Sequence, residues 1–330
     1  MMRLPKFAYL VPRTVGEAAR MMGEAGPAGQ FVAGGTDLYP NMKRRQQTPR
    51  TVISVGRLAE LRRIEGDGQA GLRIGAGVSL TELVEHPVVN RDYPSLARAA
   101  RLISTPTLRN MGTVGGNLLL DTRCNYYDQN YEWRRGINFC LKKDGDVCWV
   151  APGSAKCWAV QSSDLVPLMV AVGARLKLVS TLGERVVEAR GFYNDDGIDY
   201  LRKRPDELLA EIQLPPAAGW RAVYKKLRRR GAFDFPVLGV AARIDAEDGG
   251  PVSSARVVLG GIAPAPLEVE AAGRALEGAS LGAESINAAA EACYLRARPL
   301  DNTDHLMNYR KQMARPFVIR ALQELVGRWQ

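Results

Sequence analysis

The chain has 330 residues, of which 46% are hydrophobic and 24% charged, a composition that supplies cores for two or three domains and excludes disorder, collagen and coiled coil. Its net charge of +10 raises the question of nucleic-acid binding, but most basic residues are scattered and no recognition motif accompanies them. The sequence shows no secretory signal and no apolar run near the roughly 20 residues of a membrane span, so we expect a cytoplasmic protein that binds no nucleic acid.

Apolar periodicity predicts alternating helices and strands over the first two thirds of the chain. The predicted elements are a helix at 11–25, strands at 30–33, 51–55 and 72–77, a helix opened by a Ser79–Glu82 capping box, helices at 95–103 and 164–172, a hairpin of 174–179 with 184–188, and a strand at 207–214. Gly75-Ala76-Gly77 follows a strand, but Leu80 stands where a dinucleotide fingerprint requires its third glycine. The sequence therefore argues against a classical dinucleotide fold.

Pro215-Pro216 is the best candidate for a domain boundary, because two prolines end the strand before them. Beyond it, the pattern predicts strands at 222–227, 237–244 and 254–259, followed by helices at 282–295 and 302–325. The last third is thus expected to form a compact α+β domain.

Two glycine pairs, Gly34-Gly35 and Gly115-Gly116, are each followed by a polar residue and soon after by a leucine. Glycine lacks Cβ and adopts positive φ, so consecutive amides beside it can point into one concavity and hold an anion. Two such segments could grip one pyrophosphate, although a tight turn explains either pair taken alone.

Four of the five cysteines lie within one polar stretch: Cys124, Cys140, Cys148 and Cys157. Their spacing, C-x15-C-x7-C-x8-C, lacks the C-x2-C pairs of typical structural zinc sites. Where thiols stay reduced, such a group indicates metal, as an iron–sulfur cluster or zinc; four unrelated buried thiols are the remaining alternative. Cys293 lies on a helical pattern and is predicted to be a core residue.

With His86 and His305 as the only histidines, Ser-His-Asp catalysis and histidine metal sites are disfavoured.

Four segments together give the chain a family resemblance. They are residues 33–38 (AGGTDL), 109–117 (RNMGTVGGN), 163–165 (SDL) and 224–227 (YKKL). In order and spacing they resemble the FAD-binding medium subunit of the xanthine oxidase family of molybdenum enzymes, over nearly the whole chain. The cysteine-containing insert is similar to the one in the beta subunit of 4-hydroxybenzoyl-CoA reductase, with close matches at 121–124 (DTRC), 140–142 (CLK) and 234–236 (DFP). Most relatives in that family lack the insert.

The resemblance implies an α+β fold: an FAD-binding domain of the p-cresol methylhydroxylase type at 1–216, with subdomains at about 1–56 and 57–216, and a C-terminal domain of the CO dehydrogenase flavoprotein type at 217–330. The implied FAD contacts are Ala33, Gly34, Gly35, Thr36, Asp37 and Leu38; Thr113, Val114, Gly115, Gly116 and Asn117; and Asp164 and Lys226. The two glycine segments would give backbone amides to the pyrophosphate, and Asp164 would bind the polar side of the flavin. Lys225 is an alternative to Lys226.

The resemblance also implies a 4Fe-4S cluster on the four cysteines of an insert at about 121–160, with Arg123, Lys142 and Lys156 influencing its potential. The partners would be a large molybdopterin subunit and a small subunit with 2Fe-2S clusters. Electrons would pass from a donor such as ferredoxin through 4Fe-4S, FAD and 2Fe-2S to molybdenum, where 4-hydroxybenzoyl-CoA loses its hydroxyl group. This chain would contain no catalytic residue. Two alternatives stay open: a molybdenum hydroxylase that passes electrons outward, and a zinc-stabilised binding protein without redox activity.

Overall fold

The computed structural model describes residues 3–247 and 250–326, which form three β-sheets with helices packed against them. The strands are β1 (Ala8–Leu10), β2 (Gly29–Val32), β3 (Thr51–Ser54), β4 (Ile64–Asp67), β5 (Gly71–Gly75), β6 (Arg175–Ser180), β7 (Gly183–Glu188), β8 (Leu208–Leu214), β9 (Trp220–Leu227), β10 (Leu238–Ala246), β11 (Val252–Gly260) and β12 (Leu267–Glu268). The helices are α1 (Val15–Ala25), α2 (Leu38–Lys43), α3 (Leu80–Glu85), α4 (Pro87–Asp92), α5 (Pro94–Arg101), α6 (Pro106–Arg109), α7 (Val114–Leu118), α8 (Tyr131–Gly136), α9 (Leu165–Val172), α10 (Glu270–Leu276), α11 (Ala283–Arg296) and α12 (Met307–Val326).

The first sheet is parallel, with the order β1-β3-β2, and α1 packs beside it. Helix α1 begins where the Thr14 hydroxyl accepts a hydrogen bond from the Glu17 amide, and it buries Ala18 and Met22. The predicted helix and both predicted strands of this unit are confirmed. Strand β2 is an outer strand of this sheet and ends at Val32, so only Ala33 separates the strand from the first glycine pair.

The second sheet has five strands in the order β4-β5-β8-β6-β7, antiparallel throughout. Its predicted β6–β7 hairpin and the capping box at the start of α3 are confirmed: Ser79 and Glu82 exchange side-chain-to-amide hydrogen bonds of 2.8 and 3.1 Å. Every residue of α9 is buried, since this helix packs between the second sheet and the third. That position explains why α9 is apolar all round.

The third sheet is antiparallel, with the order β12-β11-β10-β9, and α10, α11 and α12 form the core beside it. Cys293 is 0% exposed in that core, so its prediction as a core residue is confirmed. Helix α12 begins at Met307, later than predicted, because Asn302 is held outside it by hydrogen bonds to Trp158 and Arg310. Over residues 3–247 and 250–326, none of the helices combines the length and apolar character needed to cross a membrane.

Candidate functional site

The two glycine segments, 79 positions apart in sequence, meet where the loop after β2 crosses the loop before α7. A Cβ added to Gly34 would lie 1.7 Å from the carbonyl oxygen of Met111, so only glycine allows this crossing. Gly35 has φ of +70°, and a Cβ there would lie 2.3 Å from the Tyr39 ring. The structure therefore brings together the two segments that the sequence singled out.

The loop at residues 34–38 keeps its backbone donors available. Within the described part of the chain, the amides of Gly34, Gly35, Thr36, Asp37 and Leu38 donate to no backbone acceptor, while the Gly35 and Asp37 carbonyls accept bonds from α2. A row of amides without protein acceptors ahead of a turn is the arrangement that binds anions in nests. This loop can therefore bind a phosphate group through its backbone.

The second glycine segment differs from the first. The Thr113 hydroxyl caps α7 by accepting from the Gly116 amide at 3.1 Å, and the Gly115 amide donates to Ala76 at 2.8 Å. The amides of Val114 and Asn117 also have protein acceptors. The second segment thus differs from the amide nest that the sequence predicted. Its amides donate to protein acceptors and so dock and cap a short helix. The Thr-x-x-Gly spacing is a capping signal that sequence reasoning could have used.

Asn117 ties this second segment to the start of α9. Its Oδ1 accepts hydrogen bonds from Ser163 Oγ at 2.6 Å and from the Leu165 amide at 3.3 Å. Its side-chain nitrogen has no acceptor among residues 3–247 and 250–326 and is not buried. Asn117 can therefore offer a side-chain donor to a ligand beside Asp164.

Asp164, the residue before α9, forms a buried ion pair with strand β9. Its carboxylate accepts from the Lys226 ammonium and from the Tyr224 hydroxyl, each at 2.9 Å, and Lys226 also donates to the Leu102 carbonyl at 3.0 Å. Burial raises the pKa of Asp164 and lowers that of Lys226, while the attraction between them opposes both shifts. Lys225 points to the other face of β9 and pairs with Glu324 of α12, so only Lys226 of the two lysines reaches Asp164.

The four cysteines of the insert are buried free thiols that line one cavity. In the part of the chain that is described, no three His, Cys, Asp or Glu side chains lie close enough together to hold a single metal ion. Burial raises the pKa of Cys124 to about 12 and that of Cys157 to about 11. A metal group bound here must therefore displace thiol protons.

A buried guanidinium accompanies these thiols. Arg134 of α8 is 0% exposed and donates to the carbonyls of Arg44 and Arg45 at 3.1 and 3.0 Å. Its Nε and Nη1 have no hydrogen-bond partner in the described residues, and its charge acts to lower the pKa of Cys140 against the effect of burial. Nη1 lies 3.7 Å from the Asp144 carboxylate, so the guanidinium has an ion-pair partner but is incompletely hydrogen-bonded. Four thiols around a cavity, with this buried cation nearby, suit an anionic metal–sulfur group.

Arg123 joins the insert to the first glycine loop, a contact that the sequence did not predict. Its guanidinium pairs with Asp37 of that loop, lies 3.5 Å from the Asp128 carboxylate and stacks 4.0 Å above the Phe235 ring. A second cavity is lined by Arg123 and Phe235 and shares Cys124 with the thiol cavity. The thiols and the amide loop are therefore neighbouring parts of one region.

Known proteins match the chain in two parts. The family described as the FAD binding domain in molybdopterin dehydrogenase matches residues 5–217, and the CO dehydrogenase flavoprotein C-terminal domain matches residues 222–325. The aldehyde oxidoreductase FAD-binding subunit PaoB of Escherichia coli is 34% identical over 93% of this chain and 96% of its own length.

Similar solved structures agree with these matches. Carbon monoxide dehydrogenase from Hydrogenophaga pseudoflava, solved without the Mo-pyranopterin moiety of its cofactor, superposes with a TM-score of 0.80 at 31% identity and covers 98% of both chains. The cyanide-inactivated Cu,Mo-CO dehydrogenase has a TM-score of 0.81 at 25% identity, again over 98% of both. The predicted α+β fold, with an FAD-binding domain followed by a CO dehydrogenase flavoprotein C-terminal domain, is confirmed. The chain belongs to the family of FAD-binding subunits of molybdopterin dehydrogenases.

Proposed function

We propose that this chain is the electron-transfer subunit of a molybdenum-containing oxidoreductase, that it holds FAD and a 4Fe-4S cluster, and that its complex removes the hydroxyl group of 4-hydroxybenzoyl-CoA. The observation that carries the proposal is the cavity lined by four free thiols, set beside an FAD-binding fold. Its partners would be a large molybdopterin subunit, a small 2Fe-2S subunit and an electron donor such as ferredoxin. A reducing cytoplasm, in which these thiols stay free, is the proposed location.

The proposed FAD site joins the two glycine segments to the buried ion pair. The amides of residues 34–38 would bind the pyrophosphate, Ala33 would precede them at the sheet edge, and residues 113–117 would form the facing wall with Asn117 as a side-chain donor. Asp164 and Lys226 would orient the polar side of the flavin. The bound FAD would supply the redox chemistry, while these residues bind and orient it.

The shape of the thiol cavity supports a cluster rather than zinc. A four-cysteine zinc site holds each sulfur about 2.3 Å from one ion and leaves no space between the ligands. Here Cys124, Cys140, Cys148 and Cys157 line one cavity, and among the described residues no three such side chains lie close enough together to hold a single ion. Four thiolates are also the usual ligands of a 4Fe-4S cluster, whose iron–sulfur core occupies the space between them.

Metal and flavin analysis of this chain, purified without its partner subunits, tests the proposed cofactors. We expect a yellow-brown protein that releases flavin on denaturation and contains about four iron atoms per copy of this chain, the content of one cluster. A colourless protein with one zinc per chain would contradict the redox proposal and support the zinc-stabilised alternative.

The opposite direction of electron flow is the second candidate, because one similar protein is named as a carbon monoxide dehydrogenase chain, and a dehydrogenase oxidises its substrate. In that candidate, a molybdenum hydroxylase passes electrons outward through this subunit. The intact complex should be assayed with 4-hydroxybenzoyl-CoA and a strong reductant. Dehydroxylation supports the first candidate, whereas no turnover, together with oxidation of an aldehyde or aromatic substrate, supports the second.

Alanine at Gly34 is expected to remove most bound flavin, whereas alanine at Gly116 should retain most of it. A Cβ at Gly34 would meet backbone at 1.7 Å, but at Gly116 it would meet only the Thr113 hydroxyl, at 3.0 Å. The measurement is the flavin released per chain on denaturation, with circular dichroism as a check of folding. Equal flavin content in the two variants would contradict the proposed role of the crossing.

We also propose the domain division at residue 216. Strand β8 ends the second sheet at Leu214, Pro215-Pro216 follows, and the third sheet begins at Trp220 with β9. The insert at about 121–160 belongs by sequence to the first domain, although Asn125 donates to the Asn302 carbonyl of the second at 2.9 Å. Expression of residues 1–216 alone, followed by a test of cooperative unfolding, would check this division.

A further inference from the structure

Lys142 is the ammonium group held most firmly against the thiol cavity. It lies two residues after Cys140, lines the cavity, and has a side chain only 6% exposed. Its Nζ donates to Asp121 Oδ1 at 2.8 Å, Thr122 Oγ1 at 2.7 Å and the Gly197 carbonyl at 2.6 Å. All three donors of the ammonium are thus used, and its position is fixed.

The surroundings of Lys142 keep its charge effective at the thiols. A buried tyrosine ring and a half-buried one flank Nζ, with centroids 4.8 Å away for Tyr127 and 5.3 Å for Tyr200. Asp121 accepts from Lys142 but does not line the cavity, so the positive end of this pair faces the thiols. The charge of Lys142 also acts to lower the pKa of Cys157, opposing the effect of burial. Little water is present to screen such a buried charge.

The other lysines of the insert are placed differently from Lys142 and from the buried Arg134. Lys143 and Lys156 have side chains 32% and 31% exposed and pair with Asp144 and Asp195 at the surface. Arg123 is turned toward Asp37 in the first glycine loop. Surface charges of this kind are screened by water and salt, so their influence on a buried group is small.

We propose that Lys142 raises the reduction potential of the group held by the four thiols, acting as a positioning residue through its fixed charge. The inference rests on the proposed 4Fe-4S cluster. A cluster gains one negative charge when it accepts one electron, and a buried ammonium stabilises the reduced state more than the oxidised state. Removing that ammonium therefore shifts the midpoint potential to more negative values.

The test compares Lys142→Gln with Lys143→Met in the full chain purified without its partner subunits, by redox titration of its iron–sulfur signal in electron paramagnetic resonance. Glutamine keeps hydrogen-bond donors for Thr122 and Gly197 but carries no charge. We expect the Lys142→Gln midpoint to move to more negative values and the Lys143→Met midpoint to stay at that of the wild type, with iron content unchanged in both. Adding Asp121→Asn to Lys142→Gln should bring the midpoint back toward wild type, because it removes the carboxylate left uncompensated.

An unmoved midpoint at full iron content would overturn the proposal. Loss of iron from both Lys142→Gln and Lys142→Arg would also overturn it, since Lys142 would then be needed for assembly rather than for tuning. The iron content of the wild-type chain, purified without its partner subunits, reports separately on the proposed function, because a wild-type chain without iron contradicts the cluster itself.

Discussion

Replacing Asp164 by alanine is expected to abolish flavin binding and to lower the free energy of unfolding by about 3–5 kcal/mol, the usual cost of leaving a buried charge without its partner. The side chains of Asp164 and Lys226 are 3% and 1% exposed, so water cannot replace the lost carboxylate. The Tyr224 hydroxyl loses its acceptor as well. Denaturant unfolding measures the first effect, as a lower midpoint at unchanged slope, and the flavin released per chain measures the second.

A double variant separates stability from flavin contact. Asp164→Ala combined with Lys226→Met removes both charges, so much of the lost stability should return while flavin stays absent. Full flavin content in the double variant would contradict the assignment of this pair to the flavin site.

The neighbouring lysine supplies the matched control for Lys226. Lys225→Met breaks a pair with Glu324 whose side chains are 31% and 26% exposed, so we expect a loss of about 0–1 kcal/mol and no loss of flavin. Lys226→Met should lose flavin. The opposite result, with flavin lost only from Lys225→Met, would move the flavin contact to Lys225.

The elements that could be predicted from the sequence are those with a long periodic pattern or a local signal. Helix α9 is an apolar run of eight residues, β10 spans nine residues, and α3 carries its own capping box. Helix α7 was missed because Gly115 and Gly116 disfavour a helix, and tertiary bonds to Val78 and Ala76 outweigh that preference. Strand β1, three residues long, depends on its parallel partner β3, more than 40 positions later.

In the candidate site, too, features with a local sequence signal could be predicted, and contacts between distant residues could not. The spacing of the cysteines predicted a group of four thiols, and the structure places all four around one cavity. The pairing of Arg123 with Asp37 spans 86 positions, and Arg134 donates to carbonyls 90 and 89 positions away. Such contacts depend on how the insert docks on the loops before and after α2, and no local pattern encodes that docking.

Replacing Cys148 by serine is expected to reduce iron from about four atoms per chain to almost none, while flavin stays bound. The cluster would lose one of four ligands, and a neutral hydroxyl is a poor substitute for a thiolate. The flavin should remain because Arg123, which joins the insert to Asp37, is held separately: its amide and carbonyl exchange bonds of 2.9 and 2.7 Å with Val160.

Cys293→Ala is the control for Cys148→Ser. Cys293 lies fully buried in the core of the third sheet, so its replacement should cost some stability yet leave iron and flavin at wild-type levels. Iron and flavin are measured on the same sample of each variant chain, purified without its partner subunits. If Cys148→Ser loses both cofactors, the cluster is required to dock the insert, and the Arg123–Asp37 pair alone does not maintain the flavin loop. If it retains iron, Cys148 is not a ligand and the four-thiol site is wrong.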